Sequence, residues 1–112
     1  MNTNTNVTLP DAVARYFDAA NRFDAESAAA CFTPDAVVHD EGKNHVGTEA
    51  IRGWVSHASE QYQPQVKVLS AEENGEQLAV AARVSGQFPG SPVELEFKLT
   101  LRHGKIAELA IQ

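Results

Sequence analysis

The chain reads as an α+β domain, with three N-terminal helices packed on one face of a curved, mostly antiparallel sheet. Three observations lead there. Apolar residues recur at helical spacing before residue 60. After residue 66, apolar and polar residues alternate with period two, most clearly from Val93 to Arg102. Asn74-Gly75 stands between two such runs and marks a hairpin. Helices first and a strand meander after them is an α+β plan, because the helices then gather on one sheet face.

The first helix starts near Pro10, since proline suits a first turn. Val13, Tyr16, Phe17 and Ala20 mark its buried face. Asn21 to Asp24 breaks the pattern, and Asp24 caps a second helix with Ser27 three residues on. Ala28, Cys31 and Phe32 form the inner face of that helix, which Thr33-Pro34 ends because proline pushes its predecessor out of helical space. Ala36 to Asp40 reads as a short strand, with Ala36, Val38 and Asp40 on one face and Val37 and His39 on the other. Glu41 to Asn44 is a turn around Gly42. Thr48, after Gly47, caps a third helix striped by Ile51, Trp54, Val55 and Ala58. Val66 to Glu72 leads into the Asn74-Gly75 hairpin. In the next strand Leu78, Val80, Ala82, Val84 and Phe88 share one face, with Ala79, Ala81, Arg83, Ser85 and Gln87 on the other. A rigid Phe88 to Pro92 connection precedes the Val93 to Arg102 strand, and His103-Gly104 turns into a last strand from Ile106 to Ile111.

A chain of 112 residues, 43% of them apolar, fits a single domain, taken as residues 9–112 behind a flexible polar tail, residues 1–8. The net charge of −6 and the scattering of nine Lys and Arg residues disfavour nucleic acid and anionic membranes. No apolar run approaches the ~20 residues of a membrane-spanning helix. The start, MNTNTNVTLP, lacks the basic and apolar segments of a signal peptide. Cys31 is the only cysteine, so no intrachain disulfide forms and a cytoplasmic location is expected. No phosphate loop, nucleophile elbow or dinucleotide fingerprint occurs, and no cofactor is expected.

The residues that carry chemistry cluster around the first strand. Asp40 ends it on the face of Val38. If that face borders an apolar cavity, desolvation raises the carboxyl pKa and makes Asp40 an acid–base group. The competing reading is an aspartate that only starts the Asp-Glu-Gly turn. Tyr16 lies on the inner face of the first helix, where its hydroxyl serves either a ligand oxygen or a backbone carbonyl. Trp54, Phe17, Val38, Phe88 and Phe97 are the expected cavity walls, with His57 at the rim. His39, Asp40, Glu41 and His45 are close in sequence but lack a metal-ligand spacing, and no metal site is expected. Cys31 reads as a small hydrophobe.

The pattern resembles the nuclear transport factor 2-like superfamily and, within it, the SnoaL-like small proteins. The resemblance spans nearly the whole chain after the tail. Its carriers are Tyr16-Phe17, Asn21 and Asp24, the run Phe32-Thr33-Pro34-Asp35-Ala36, Asp40, Gly47 to Ile51, Trp54 and Gly104-Lys105-Ile106. It implies a cone-shaped fold around an apolar pocket. It also implies a function drawn from isomerases, dehydratases, polyketide cyclases and binding or dimerising proteins. By similarity to the ketosteroid isomerases, Asp40 stands where those enzymes carry their base and Tyr16 where they carry an oxyanion donor. Their second oxyanion acid falls at Phe97, which cannot donate. Two classes of function follow: a cofactor-free isomerase, cyclase or dehydratase acting on a small apolar carbonyl compound, and a non-catalytic ligand-binding or dimerisation module. A homodimer through the outer sheet face is expected, with Ala79, Ala81 and Arg83 beside Glu94, Glu96 and Lys98.

Overall fold

The computed structural model describes residues 8–112, so the expected tail lies almost wholly outside the described residues. The elements are α1 (Asp11–Asn21), α2 (Ala25–Ala29), β1 (Phe32–Asp40), β2 (Lys43–Val46), α3 (Thr48–Tyr62), β3 (Gln65–Asn74), β4 (Gln77–Ser85), β5 (Val93–Arg102) and β6 (Lys105–Ile111). One curved six-stranded sheet runs in the order β2-β1-β6-β5-β4-β3. Among the described residues, only β1 and β6 pair parallel; every other neighbouring pair is antiparallel. The helix α3 carries the chain from β2 at one edge to β3 at the other. Among the described residues, no helix is long and apolar enough to cross a membrane.

The alternation in the sequence becomes burial in the sheet. Leu78, Val80, Ala82 and Val84 are buried on β4, and Phe97 and Leu99 on β5, while Glu94, Glu96 and Lys98 are exposed. The helical stripes meet this face: Val13, Tyr16 and Phe17 from α1, and Ile51 and Val55 from α3. An aromatic cluster fixes α1 on the sheet. Tyr16 meets Phe32 edge-on with ring centroids 5.4 Å apart, and Phe17 meets Phe97 edge-on at 5.3 Å. Pairs of this geometry add about 0.5–1.5 kcal/mol each beyond the area they bury.

Four local expectations change. First, α2 stops at Ala29, and β1 already begins at Phe32, running through Thr33-Pro34. Proline removes a ladder donor, which a strand tolerates where pairing is irregular. The β1–β6 register does shift between Phe32 and Val37, and Pro34 sits in that irregular stretch. Second, Lys43–Val46, read in part as a turn, forms the edge strand β2. Its residues, polar but for the exposed Val46 and exposed but for the half-buried His45, carry no period-two signal. Glu41 and Gly42, with φ of 54° and 76°, make the tight turn, which brings Asp40 opposite Lys43. Third, Gly47 occupies the cap position of α3 and Thr48 is the first helical residue, with no side-chain cap bond. The strand expected to reach Phe88 also ends at Ser85. The cap on α2 is as expected, with Asp24 accepting from the Ser27 backbone N–H at 3.1 Å and from its hydroxyl at 2.8 Å.

Two clips set the depth between helices and sheet. The Asn21 side chain imitates a strand partner: its Oδ1 accepts from the Val66 N–H at 2.7 Å, and its Nδ2 donates to the Val66 carbonyl at 3.0 Å. This ties the end of α1 to the start of β3. At the other clip, the Gln87 N–H donates to the Tyr62 carbonyl at 2.7 Å. The neighbouring Gly86 is required there, because a Cβ on it would lie 2.5 Å from the Tyr62 carbonyl oxygen. The last turn of α3 and the connection after β4 are thereby held together.

Candidate functional site

Between the helices and the concave side of the sheet lies a cavity of about 620 Å³, open to solvent at one side. That volume falls within the usual range for small-molecule sites. Helix α1 contributes Tyr16, the end of β1 contributes Asp40, and α3 contributes Trp54 and His57. Phe88 and Phe97 close the sheet side, and Val55, Val66, Val84, Leu95 and Ile111 complete a mainly apolar wall.

Asp40 reaches this cavity because β1 alternates. Ala36 and Val38 are fully buried on the same face, and Asp40, two residues on, is half-buried where the strand meets its turn. Its Oδ2 accepts a hydrogen bond from the Trp54 indole N–H at 3.1 Å. Burial is the largest influence on the carboxyl and pushes its pKa above the ordinary aspartate value. The Trp54 hydrogen bond pulls the other way, the Glu41 charge adds to the rise, and His45 and the Glu41 backbone N–H oppose it. The net direction is upward. Trp54 is itself backed by His45 of β2, with ring centroids 5.9 Å apart.

Tyr16 is 4% exposed, and its hydroxyl has no hydrogen-bond partner among the described residues. Burial first, then the nearby Asp40 carboxylate and Cys31, hold its pKa far above the ordinary phenol value. The phenol therefore stays protonated and carries an uncommitted donor at the cavity wall. A buried hydroxyl without a partner is costly, and a ligand oxygen is a natural acceptor for it.

Six of the eight residues singled out in the sequence line the cavity: Asp40, Tyr16, Trp54, Phe88, Phe97 and His57. Phe17 and Val38 do not, and their expected place in the pocket is corrected. Phe17 is one helical position past Tyr16, which rotates it toward the sheet, where it packs against Phe97. Val38 lies deeper along β1 than Asp40 and is wholly enclosed by core. His57 is exposed at the rim. Sequence reasoning missed the Trp54–Asp40 bond and the roles of Glu41, Ser59 and Tyr62 in the lining. Continuing the α3 stripe from Trp54 through Ala58 at a spacing of four would have reached Tyr62.

His39 points to the other face, between Asn44 at 2.7 Å and Glu108 at 2.8 Å. Among the described residues, no three His, Cys, Asp or Glu side chains are placed to hold a metal ion. Cys31 is buried, donates to the Ser27 carbonyl at 3.5 Å, and has its thiol pKa raised by burial. It borders a separate depression of about 490 Å³ on the far side of α1, where Arg15 and Arg22 are already paired with Asp11 and Asp18.

Helices on the concave face of a curved mixed sheet, with a pocket between them, make up the nuclear transport factor 2-like fold, which a Cytophaga hutchinsonii protein 15% identical to this chain shares. The SnoaL-like domain model matches residues 13–109, and the chain belongs to that family. A candidate polyketide cyclase from Sinorhizobium meliloti is 43% identical, with a TM-score of 0.90 over 93% of this chain and 95% of that one. A Catenulispora acidiphila protein of ketosteroid isomerase-like fold, solved with trimethylamine, is 20% identical, with a TM-score of 0.83 over 94% of this chain and 86% of that one. A candidate polyketide cyclase from Xanthomonas campestris is 18% identical, with a TM-score of 0.78 over 89% and 85% of the two chains. The last two similarities concern the fold alone. No curated protein matches the chain.

Proposed function

We propose that the protein is a cofactor-free acid–base enzyme of the isomerase or cyclase type, acting on a small apolar carbonyl compound. The observation that carries this reading is the meeting of Asp40 and Tyr16 in one apolar cavity. Asp40 is a carboxylate whose burial strengthens it as a base. It removes a proton from the carbon next to the substrate carbonyl. The electron pair moves onto the carbonyl oxygen, and the Tyr16 hydroxyl donates a hydrogen bond to the enolate that forms. From there, protonated Asp40 returns the proton to another carbon, which completes an isomerisation. Alternatively the enolate carbon attacks a second carbonyl of the same molecule, a ring closes, and the proton goes to the new alkoxide. The 43% identical relative, a candidate polyketide cyclase, supports the second course.

Phe97 supports the competing, non-catalytic binding reading, since it lines the cavity with an aromatic ring at the position that the resemblance to ketosteroid isomerases gives to their second donor. The decisive experiment does not require the natural substrate. Enolisation by Asp40 exchanges the methyl protons of 2-acetylnaphthalene for deuterium in D₂O, which proton NMR follows directly. Wild-type protein is expected to accelerate this exchange and Asp40→Asn to lose ~10²- to 10⁴-fold of the acceleration. Exchange no faster than in buffer would leave the binding-module reading standing.

A further inference from the structure

The cavity is lined by two acids and one imidazole, His57 exposed at its rim, with no Lys or Arg. Asp40 and Glu41 line it, and none of the nine Lys and Arg residues does. Residues 1–7 contain no Lys or Arg, so the described residues account for all nine. Arg15, Arg22, Arg52, Arg83, Lys98 and Arg102 each face a carboxylate elsewhere on the molecule. Of the side-chain donors in the lining, His57 and Gln112 are exposed, Tyr62 is half-buried, and the Ser59 hydroxyl is spent on the Val55 carbonyl. The Trp54 N–H is committed to Asp40, which leaves the Tyr16 hydroxyl as the free buried donor at the wall.

We propose that the cavity selects its ligand by charge, taking an uncharged carbonyl compound and rejecting the matching carboxylate. This inference rests on the acid–base reading of the site and names the substrate class that site accepts. A ketone oxygen is satisfied by a single donor, and Tyr16 supplies one. A carboxylate offers two oxygens with about four acceptor positions and gives up strong hydration to enter. Inside, it meets no Lys or Arg and two acids, with the one imidazole, His57, out at the solvent-exposed rim, in a setting where like-charge repulsion is less screened than in water. The apolar walls reward the same hydrocarbon skeleton in both ligands, so the charged group decides between them.

A matched pair tests this: 2-acetylnaphthalene and 2-naphthoate differ little in shape and differ in charge. Binding is measured by calorimetry, and the Trp54 indole N–H signal in nitrogen–proton NMR spectra locates it, Trp54 being the only tryptophan. The ketone is expected to shift that signal, and the carboxylate at neutral pH to bind weaker by about 100-fold or more, roughly 2.7 kcal/mol. In Glu41→Lys, a cation enters the lining, and 2-naphthoate is expected to tighten at least about tenfold while the ketone changes less than about twofold, a gap near 1.4 kcal/mol. Equal binding of the two ligands by the wild type would overturn charge selection and leave the acid–base reading intact. Selective binding without deuterium exchange would uphold charge selection and sink the acid–base reading. If neither ligand moves the Trp54 signal, both fail.

Discussion

The indole N–H of Trp54 donates to Oδ2 of Asp40 at 3.1 Å, across the gap between α3 and the end of β1. This bond opposes the burial that raises the Asp40 pKa. Trp54→Phe keeps an aromatic wall and removes the donor. The Asp40 pKa is then expected to rise further, so that the base-catalysed exchange of 2-acetylnaphthalene protons reaches its plateau at higher pH than in the wild type. An unchanged pH profile would show that the bond does not tune the base.

Asp40 carries a stability cost that its half-buried place at the cavity explains. Its folded pKa lies above the unfolded value, so the folded state binds the extra proton between those two values. Stability from this group is therefore fully present below the unfolded pKa and is lost as pH rises through the folded one. Asp40→Asn keeps an oxygen acceptor for Trp54 and removes the buried charge. Its melting temperature is expected to exceed that of the wild type at neutral pH, with the advantage vanishing in acid. Thermal melts across that range check it, and a variant less stable at neutral pH would contradict the direction.

Tyr16→Phe removes a buried hydroxyl that has no hydrogen-bond partner among the described residues. The substitution is expected to leave stability unchanged or slightly raised, within about 1 kcal/mol. Exchange activity is expected to fall, though by less than in Asp40→Asn, because one donor is lost while the base remains. Urea denaturation and the exchange assay together separate this from a core tyrosine whose hydroxyl supports the fold.

The two clips are structural, and their loss acts on stability. Asn21→Ala leaves the Val66 N–H and carbonyl without their partner, at a cost of about 1–3 kcal/mol. Gly86→Ala forces a methyl group against the Tyr62 carbonyl and is expected to cost about 1–3 kcal/mol, with the cavity mouth near Phe88 displaced. Chemical denaturation measures both, and an unaltered midpoint for either would remove that clip from the account.

The outer sheet face is proposed as a homodimer surface. Arg83 pairs across strands with Glu94 at 3.3 Å, and Lys98 lies 3.9 Å from Glu96, beside the small residues Ala79 and Ala81. Small side chains allow close approach, and mixed charges permit a self-complementary two-fold contact. Light scattering at micromolar concentration is expected to give twice the 12.1 kDa of one chain. A mass of one chain would leave this face to solvent.

What the sequence determined was what short-range periodicity encodes. The alternation from Val93 to Arg102 requires one buried sheet face, and the stripes of α1 and α3 require helices to cover it. Asp24 and Gly42 mark a helix start and a turn by local chemistry alone. The reading faltered where long-range pairing outweighed local preference. Thr33-Pro34 looked like a helix stop and lies within β1, because parallel pairing with β6 absorbs the missing donor at an irregular point. Lys43–Val46 carried no alternation and became a strand because its backbone completes a hairpin with β1. The same division holds at the site. Asp40 and Tyr16 were legible as residue types at the end of a strand and on a helix face. That Trp54 would reach Asp40, that Phe17 would turn to the core while Tyr16 faced the cavity, and that every Lys and Arg would lie elsewhere depended on how deeply the helices sit in the curve of the sheet. Asn21 and Gly86 set that depth through contacts between segments remote in sequence, and no local pattern in the chain specifies a distance of that kind.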